Sequence, residues 1–318
     1  MKKSRNFRLI SCFLTIFLLL GGCSGQPASA QPQDKEEKTS SSSQKGSWDS
    51  QPKVLTPEAP GTVLMGNSAI EIDVSNISQG YLMARYLGNA AKVKFFIETP
   101  DQVRYTYDLK SSQTFAPLPL TAGSGTYTLD VREHVEDDLY SNLYKDTVEV
   151  QIDNEFSPFL YPNQYTWFTS DSQTVAQAAS LTKGAQDGLE AVGAVYDYVI
   201  KNVTYDEEKA KTVQSGYLPD VDETLESGKG ICFDYAALMT AMLRSQGIPT
   251  KLEIGYSGEV YHAWISTWLE EKGWVENIIE FDGESWSLID PTLAAGNKAS
   301  SVKKYIGDGS NYTVMYSR

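Results

Sequence analysis

Three residues in the C-terminal half of this 318-residue chain could together carry out acyl transfer: Cys232, His262 and Asp290. A thiol attacks a carbonyl when a neighbouring base takes its proton, and histidine is the side chain suited to taking and returning it. An acid beside the imidazole would hold the ring in the productive tautomer. Each residue also has a plainer use. A free cysteine is commonly a small buried hydrophobe, a strand histidine can be structural, and Asp-Pro often starts a turn. The three lie 30 and 28 positions apart, so only folding can bring them together. The expected arrangement puts the His262 ring within roughly 3 to 4 Å of the Cys232 sulfur, with Asp290 on the other ring nitrogen.

The local sequence says what must position them. Gly228, Lys229 and Gly230 read as a flexible approach, and a helix is expected from Cys232 to Gln246. Its apolar stripe is Tyr235, Leu238, Met239, Met242 and Leu243, at helical spacing, and Gly247 and Pro249 end it. Cys232 then sits in the first turn, where unpaired N–H groups and the helix dipole favour a thiolate, so a depressed thiol pKa is expected. His262 lies in the alternating segment from Val260 to Ile265, which puts His262 and Trp264 on one face of a strand. A second strand is expected from Glu284 to Asp290, beside the histidine strand. Lys272-Gly273 and Asp282-Gly283 read as turns of an extra hairpin between the two.

Together these segments resemble the core of the transglutaminase-like superfamily. The resemblance rests on Gly230-Ile231-Cys232, Gly247-Ile248-Pro249, His262-Ala263-Trp264 and Trp286 through Asp290-Pro291-Thr292, in that order, and covers about residues 190–295. It implies an α+β, papain-like core in which a helix bearing the nucleophile packs on an antiparallel sheet bearing His262 and Asp290. It implies a cysteine acyltransferase or an amide or peptide hydrolase. The separation of His262 from Asp290 is longer than the compact pattern, so Asn277 and Asp282 are alternatives for the third position. Animal members need calcium, but no calcium loop is found in this sequence. No cofactor and no metal is expected.

The rest of the chain sets the context. Lys2, Lys3, Arg5 and Arg8 precede an apolar run, Leu9–Leu20, too short to span a bilayer comfortably. Leu20-Gly21-Gly22-Cys23 resembles a bacterial lipobox, which implies cleavage before Cys23, lipidation of its thiol and a place on the extracytoplasmic face of a membrane. Cys12 would leave with the signal, so Cys232 is the lone thiol of the folded part and no internal disulfide is possible. Residues 1–22 carry four basic and no acidic side chains, so their removal takes the formal charge from −14 to −18. That disfavours nucleic acid and leaves the acyl chains as the membrane contact. The expected partner is a protein or peptide with an accessible amide.

Four regions are expected: a signal peptide (1–22), a polar tether (23–60), a sandwich domain (61–155) and the cysteine domain (156–318). The tether has almost no apolar residues to offset its ordering entropy. In the sandwich region Ile70, Ile72 and Val74 alternate with polar residues, as do Val103, Tyr105 and Tyr107. Tyr127, Leu129 and Val131 do the same, and so do Val148, Val150 and Ile152. Short strands at this spacing point to an all-β, immunoglobulin-like sandwich. The segment from His134 to Asp138 reads as a solvated acidic loop rather than a metal site. Asp187 is expected to cap a helix carrying Leu189, Val192, Val195, Tyr196, Val199 and Ile200, and no periodicity is visible from Asp206 to Asp222. Two other readings share these features: an inactive cysteine-fold binding module, and a transporter's substrate-binding lipoprotein. The second would need two α/β lobes, against the β-rich first half.

Overall fold

The computed structural model describes residues 48–110, 113–257, 259–270, 272–276, 280–281, 286–287 and 312–318. Cys23, Asp290, Asn277 and Asp282 lie outside these residues. Among the described residues, no helix is long and apolar enough to cross a membrane.

The first half is built of strands: β1 (Leu64–Gly66), β2 (Ile70–Asp73), β3 (Tyr81–Tyr86), β4 (Val93–Glu98), β5 (Arg104–Leu109), β6 (Ala116–Pro119), β7 (Gly125–Glu136) and β8 (Leu139–Val150). They form two four-stranded antiparallel sheets, in the orders β1-β2-β3-β6 and β5-β4-β7-β8. Alternation is what makes them strands. Ile70 and Ile72, Phe95 and Ile97, Tyr105 and Tyr107, and Tyr127, Leu129 and Val131 all turn into one shared core. The Tyr127 hydroxyl donates to the carbonyl of Gly123 at 2.8 Å, closing the corner before β7. The acidic segment expected as a loop is instead the end of the long β7–β8 hairpin. His134 pairs with Tyr140 across it, their rings stacked edge to face, and the turn falls at Asp137-Asp138.

The second half has the elements α1 (Gln173–Thr182), α2 (Gly188–Asn202), β9 (Thr204–Tyr205), α3 (Glu207–Thr212), α4 (Val221–Ser227), β10 (Lys229–Gly230) and α5 (Cys232–Ser245). After these come β11 (Thr250–Ser257), β12 (Val260–Leu269), β13 (Gly273–Val275), the two-residue strands β14 (Glu280–Phe281) and β15 (Trp286–Ser287), and β16 (Tyr312–Ser317). Asp187 caps α2 as expected, accepting from the N–H of Glu190. The main sheet runs β13-β12-β11-β16, with all neighbours antiparallel. α5 packs on the face carrying Leu252, Ile254, Ala263 and Ile265, with α1, α2 and α4 around it. Sequence spacing gave α5 one apolar stripe, but every residue from Asp234 to Ser245 is buried, because the helix is enclosed on all sides.

Two further differences from the sequence reading have clear causes. Residues 48–58, expected to belong to the tether, are held by the folded part. The Trp48 N–H bonds to Ala185, Lys53 N–H to Ser245 and Glu58 N–H to the Tyr81 hydroxyl. The strand expected beside the histidine strand is also elsewhere in its described part. Trp286 and Ser287 pair with Phe281 and Glu280, while β12 is flanked by β11 and, along residues 267–269, by β13.

Arg244 ties the pieces together. Its guanidinium is fully buried and donates to the carbonyls of Thr250, Tyr161 and Arg318 at 2.6 to 2.9 Å. Burial pulls its pKa down to about 9.

Candidate active site

The entry to α5 is fixed by backbone pairing before any side chain acts. β9 and β10 pair in parallel, with Tyr205 opposite Gly230, so the chain starts α3 and α5 side by side. Gly228 closes α4 in the left-handed conformation at φ 60°, a position that suits glycine. Gly230 is there for room rather than flexibility, since a Cβ on it would lie 2.6 Å from the Cβ of Asp234. The residue before the helix, Ile231, has no side-chain acceptor to offer, and Asp234 takes up the Ile231 N–H at 2.8 Å instead. Cys232 is therefore the first residue of α5, as expected, and the N–H groups of its first turn are not spent on a side-chain cap.

Cys232 is partly open to solvent but lies deep among protein atoms. Burial pushes its thiol above the ordinary value, against the lowering effect of the backbone N–H groups of Ala263, Phe233 and Cys232 itself, while Asp234 adds to the rise. The helix terminus lowers the thiol pKa as expected, but desolvation exceeds it, so the expected depressed pKa is corrected to a raised one. The Ala263 N–H belongs to the residue after His262. β13 pairs with β12 only at residues 267–269, so the thiol meets β12 along a stretch without a strand on that side among the described residues.

His262 is buried, at 6% exposure, and its ring stacks on Trp264 with centroids 6.2 Å apart and planes at 22°. The two share a face, as strand alternation required. Burial lowers the imidazole pKa to about 4, so the ring is neutral near pH 7. Among the described residues Nε2 has no hydrogen-bond partner, so the expected thiol–imidazole bond is not made through that nitrogen. A neutral imidazole that reaches a neutral thiol can act by taking the proton as the sulfur attacks, rather than by holding a standing thiolate.

Sequence reading missed the charged residues behind Cys232. Asp234 is fully buried, paired with Lys209 Nζ at 2.8 Å, and accepts a bond from the Tyr217 hydroxyl. Lys209 Nζ also donates to that hydroxyl at 2.6 Å. Both partners come from the stretch without periodicity, and α3 contains no buried residue that could have signalled it. The clue available was Asp234 itself, an acid on the first turn of a helix that is otherwise core.

Residues 175–277 match the model of the transglutaminase-like superfamily. The uncharacterised protein YebA of Bacillus subtilis (strain 168) is 30% identical over 118 residues, which cover 31% of this chain and 16% of that protein. Among solved structures, a Cytophaga hutchinsonii protein named provisionally as a cysteine protease is 15% identical. The alignment covers 75% of this chain and 83% of that one at a TM-score of 0.34. Red sea bream transglutaminase is 12% identical over 67% of this chain and 48% of its own, at a TM-score of 0.25. The helix bearing Cys232 and the strand bearing His262 both fall inside the matched span, and residues 175–277 are a domain of the transglutaminase-like superfamily.

Proposed function

We propose that this protein is a cysteine-dependent acyltransferase or amide hydrolase with Cys232 as nucleophile, His262 as base and Asp290 as the residue that orients the imidazole. The observation carrying this reading is the convergence on one sulfur of the N-terminal N–H groups of α5 and the N–H of Ala263, next to His262. The same groups are placed to stabilise charge developing during attack. In the first step the Cys232 sulfur bonds to the carbonyl carbon of an amide while His262 takes the thiol proton. The C–N bond then breaks, the proton passes from the imidazolium to the leaving amine, and a thioester remains. An incoming amine or water, deprotonated by the same imidazole, attacks the thioester and frees the thiol.

Asp290 is assigned on sequence grounds and on the buried Nε2 of His262, which has no partner among the described residues and where a carboxylate would fix the ring. The substrate class follows from the chemistry: a peptide or protein with an accessible carboxamide or peptide bond. The N-terminal sequence supports export and lipidation at Cys23, which would hold the enzyme at an extracytoplasmic membrane face without a spanning helix. Mass spectrometry of the N-terminal peptide from the membrane fraction tests that part: an unmodified Cys23 would remove the anchor. The strand-rich region fits an immunoglobulin-like sandwich. β2-β3-β6 face β5-β4-β7-β8, and the Tyr127–Gly123 bond has the character of a tyrosine corner.

Thioester capture tests the chemistry. Full-length protein would be incubated with glutamine-containing peptides and hydroxylamine, with hydroxamate and ammonia as the readouts. Products from the wild type that vanish in Cys232→Ala support the reading. Products that persist in Cys232→Ala would overturn it.

A further inference from the structure

The ion pair behind the nucleophile has a consequence for reactivity. Tyr205 and Gly230 are paired in register, and four residues beyond each lie Lys209 and Asp234. The parallel β9–β10 pair thus delivers a cation from α3 to a carboxylate on α5, two residues after Cys232. α3 has no buried residue of its own. It is capped by Asp206, which accepts from the Lys209 N–H at 2.9 Å, and the Asp206 N–H is itself bonded to the Gly230 carbonyl. What α3 contributes to the interior is Lys209.

We propose that Lys209 is a positioning residue for the reaction assigned to Cys232: paired with the buried carboxylate of Asp234, it cancels the negative charge behind the sulfur and keeps the start of α5 fixed. The inference rests on Cys232 being the nucleophile. Asp234 cannot be dispensed with, because it holds the Ile231 N–H, and through it the helix start that aims the first-turn N–H groups at the sulfur. Yet an uncompensated carboxylate in that position opposes every increment of negative charge on the thiol. Lys209 and Tyr217 resolve the conflict, one by charge and one by a hydroxyl that burial and Asp234 keep protonated. The other titratable groups that interact with the thiol are Tyr205 on β9 and Tyr261 on β12, and neither supplies a permanent positive charge. The cation is Lys209, and it acts through Asp234. It is not a catalytic residue, since nothing puts it in contact with the reacting atoms.

The experiment is the pH dependence of iodoacetamide alkylation at Cys232, followed by mass spectrometry of the Cys232 peptide from full-length protein between pH 6 and 10.5. Lys209→Met should move the inflection up by about one pH unit, so alkylation below it slows about tenfold. Lys209→Arg should stay near wild type. Asp234→Asn should move the inflection down, and Lys209→Met combined with Asp234→Asn should bring it back towards wild type, because the uncompensated charge is gone. A purely structural ion pair would lower the melting temperature of Lys209→Met and leave its inflection where the wild type has it, and that result would overturn the proposal. If Lys209→Met does not fold, an unchanged inflection in Asp234→Asn would overturn it equally. Failure of the nucleophile reading looks different: wild-type Cys232 would then react no faster folded than unfolded, whatever stands at position 209.

Discussion

The Cys232 thiol lies against the backbone N–H of Ala263, the residue that follows His262 on β12. Backbone, not side chains, thus registers the helix of Cys232 against the strand of His262. The packing of α5 on Leu252, Ile254, Ala263 and Ile265 keeps that register. The thiol is pushed up by burial and the imidazole down to about 4, so the resting pair is neutral. Reactivity must then come from proton transfer during attack.

A first prediction concerns stability against pH. The folded pKa of His262 is depressed, so below its unfolded value of about 6.5 the unfolded chain binds a proton that the native protein refuses. His262 therefore removes stability as pH falls from about 6.5 to about 4, at roughly 1.4 kcal/mol per pH unit. Glu253 acts in the opposite sense, because burial raises its carboxyl pKa. The comparison that isolates the histidine is urea unfolding of wild type and His262→Asn at pH 6.5, 5.5 and 4.5. The difference between them should shrink as pH falls. A constant difference would mean that His262 is not buried as a neutral ring.

Arg244→Leu removes the guanidinium donors to the carbonyls of Thr250 and Tyr161, while the Arg318 oxygen keeps the Leu252 N–H. The expected loss in urea unfolding is about 2 kcal/mol or more, since each orphaned acceptor costs roughly 1 to 3 kcal/mol. Arg244→Lys should recover little of it, because one ammonium cannot reach all three with the geometry of a guanidinium. A loss below about 1 kcal/mol in Arg244→Leu would show that the carbonyls find other donors.

Much of this was legible in the sequence, and the reasons for the rest are specific. The 3.6-residue spacing from Tyr235 to Leu243 and the Gly247 stop located α5, and alternation located β12 and, in the first half, β2, β5, β7 and β8. Full enclosure of α5 could not be read, because Arg244 and Asp234 look like surface residues until their partners are known. Those partners, carbonyls in one case and Lys209 with Tyr217 in the other, come from distant segments. The thiol's shift had competing terms of opposite sign, and a helix terminus is visible in sequence while desolvation is not. Trp286 alternates with its neighbours as a strand should, but alternation does not choose a partner, and its described pairing is with β14.

Gly230→Ala tests the packing behind the helix start. The added methyl would lie 2.6 Å from the Asp234 Cβ, so the carboxylate must shift and loosen its hold on the Ile231 N–H. Overpacking of this kind costs about 1 to 3 kcal/mol, and Cys232 labelling should slow in step. A variant as stable and as reactive as wild type would contradict that account of the glycine.

The identity of the acid separates three candidates. Asp290→Ala should lower hydroxamate formation by about 10²-fold or more, while Asn277→Ala and Asp282→Ala stay within a few-fold of wild type. A large loss in one of the latter two would move the assignment and leave the Cys232–His262 pair intact.

The most direct measurement is the rate at which iodoacetamide modifies Cys232 at pH 7, in the folded protein and in the same protein unfolded by urea. Modification would be read at the Cys232 peptide by mass spectrometry, with His262→Asn alongside. A nucleophile served by His262 should react faster folded than unfolded, and should lose at least about tenfold when His262 is replaced. A thiol that reacts more slowly in the folded protein, at a rate indifferent to His262, would be a buried structural cysteine and would contradict the catalytic account.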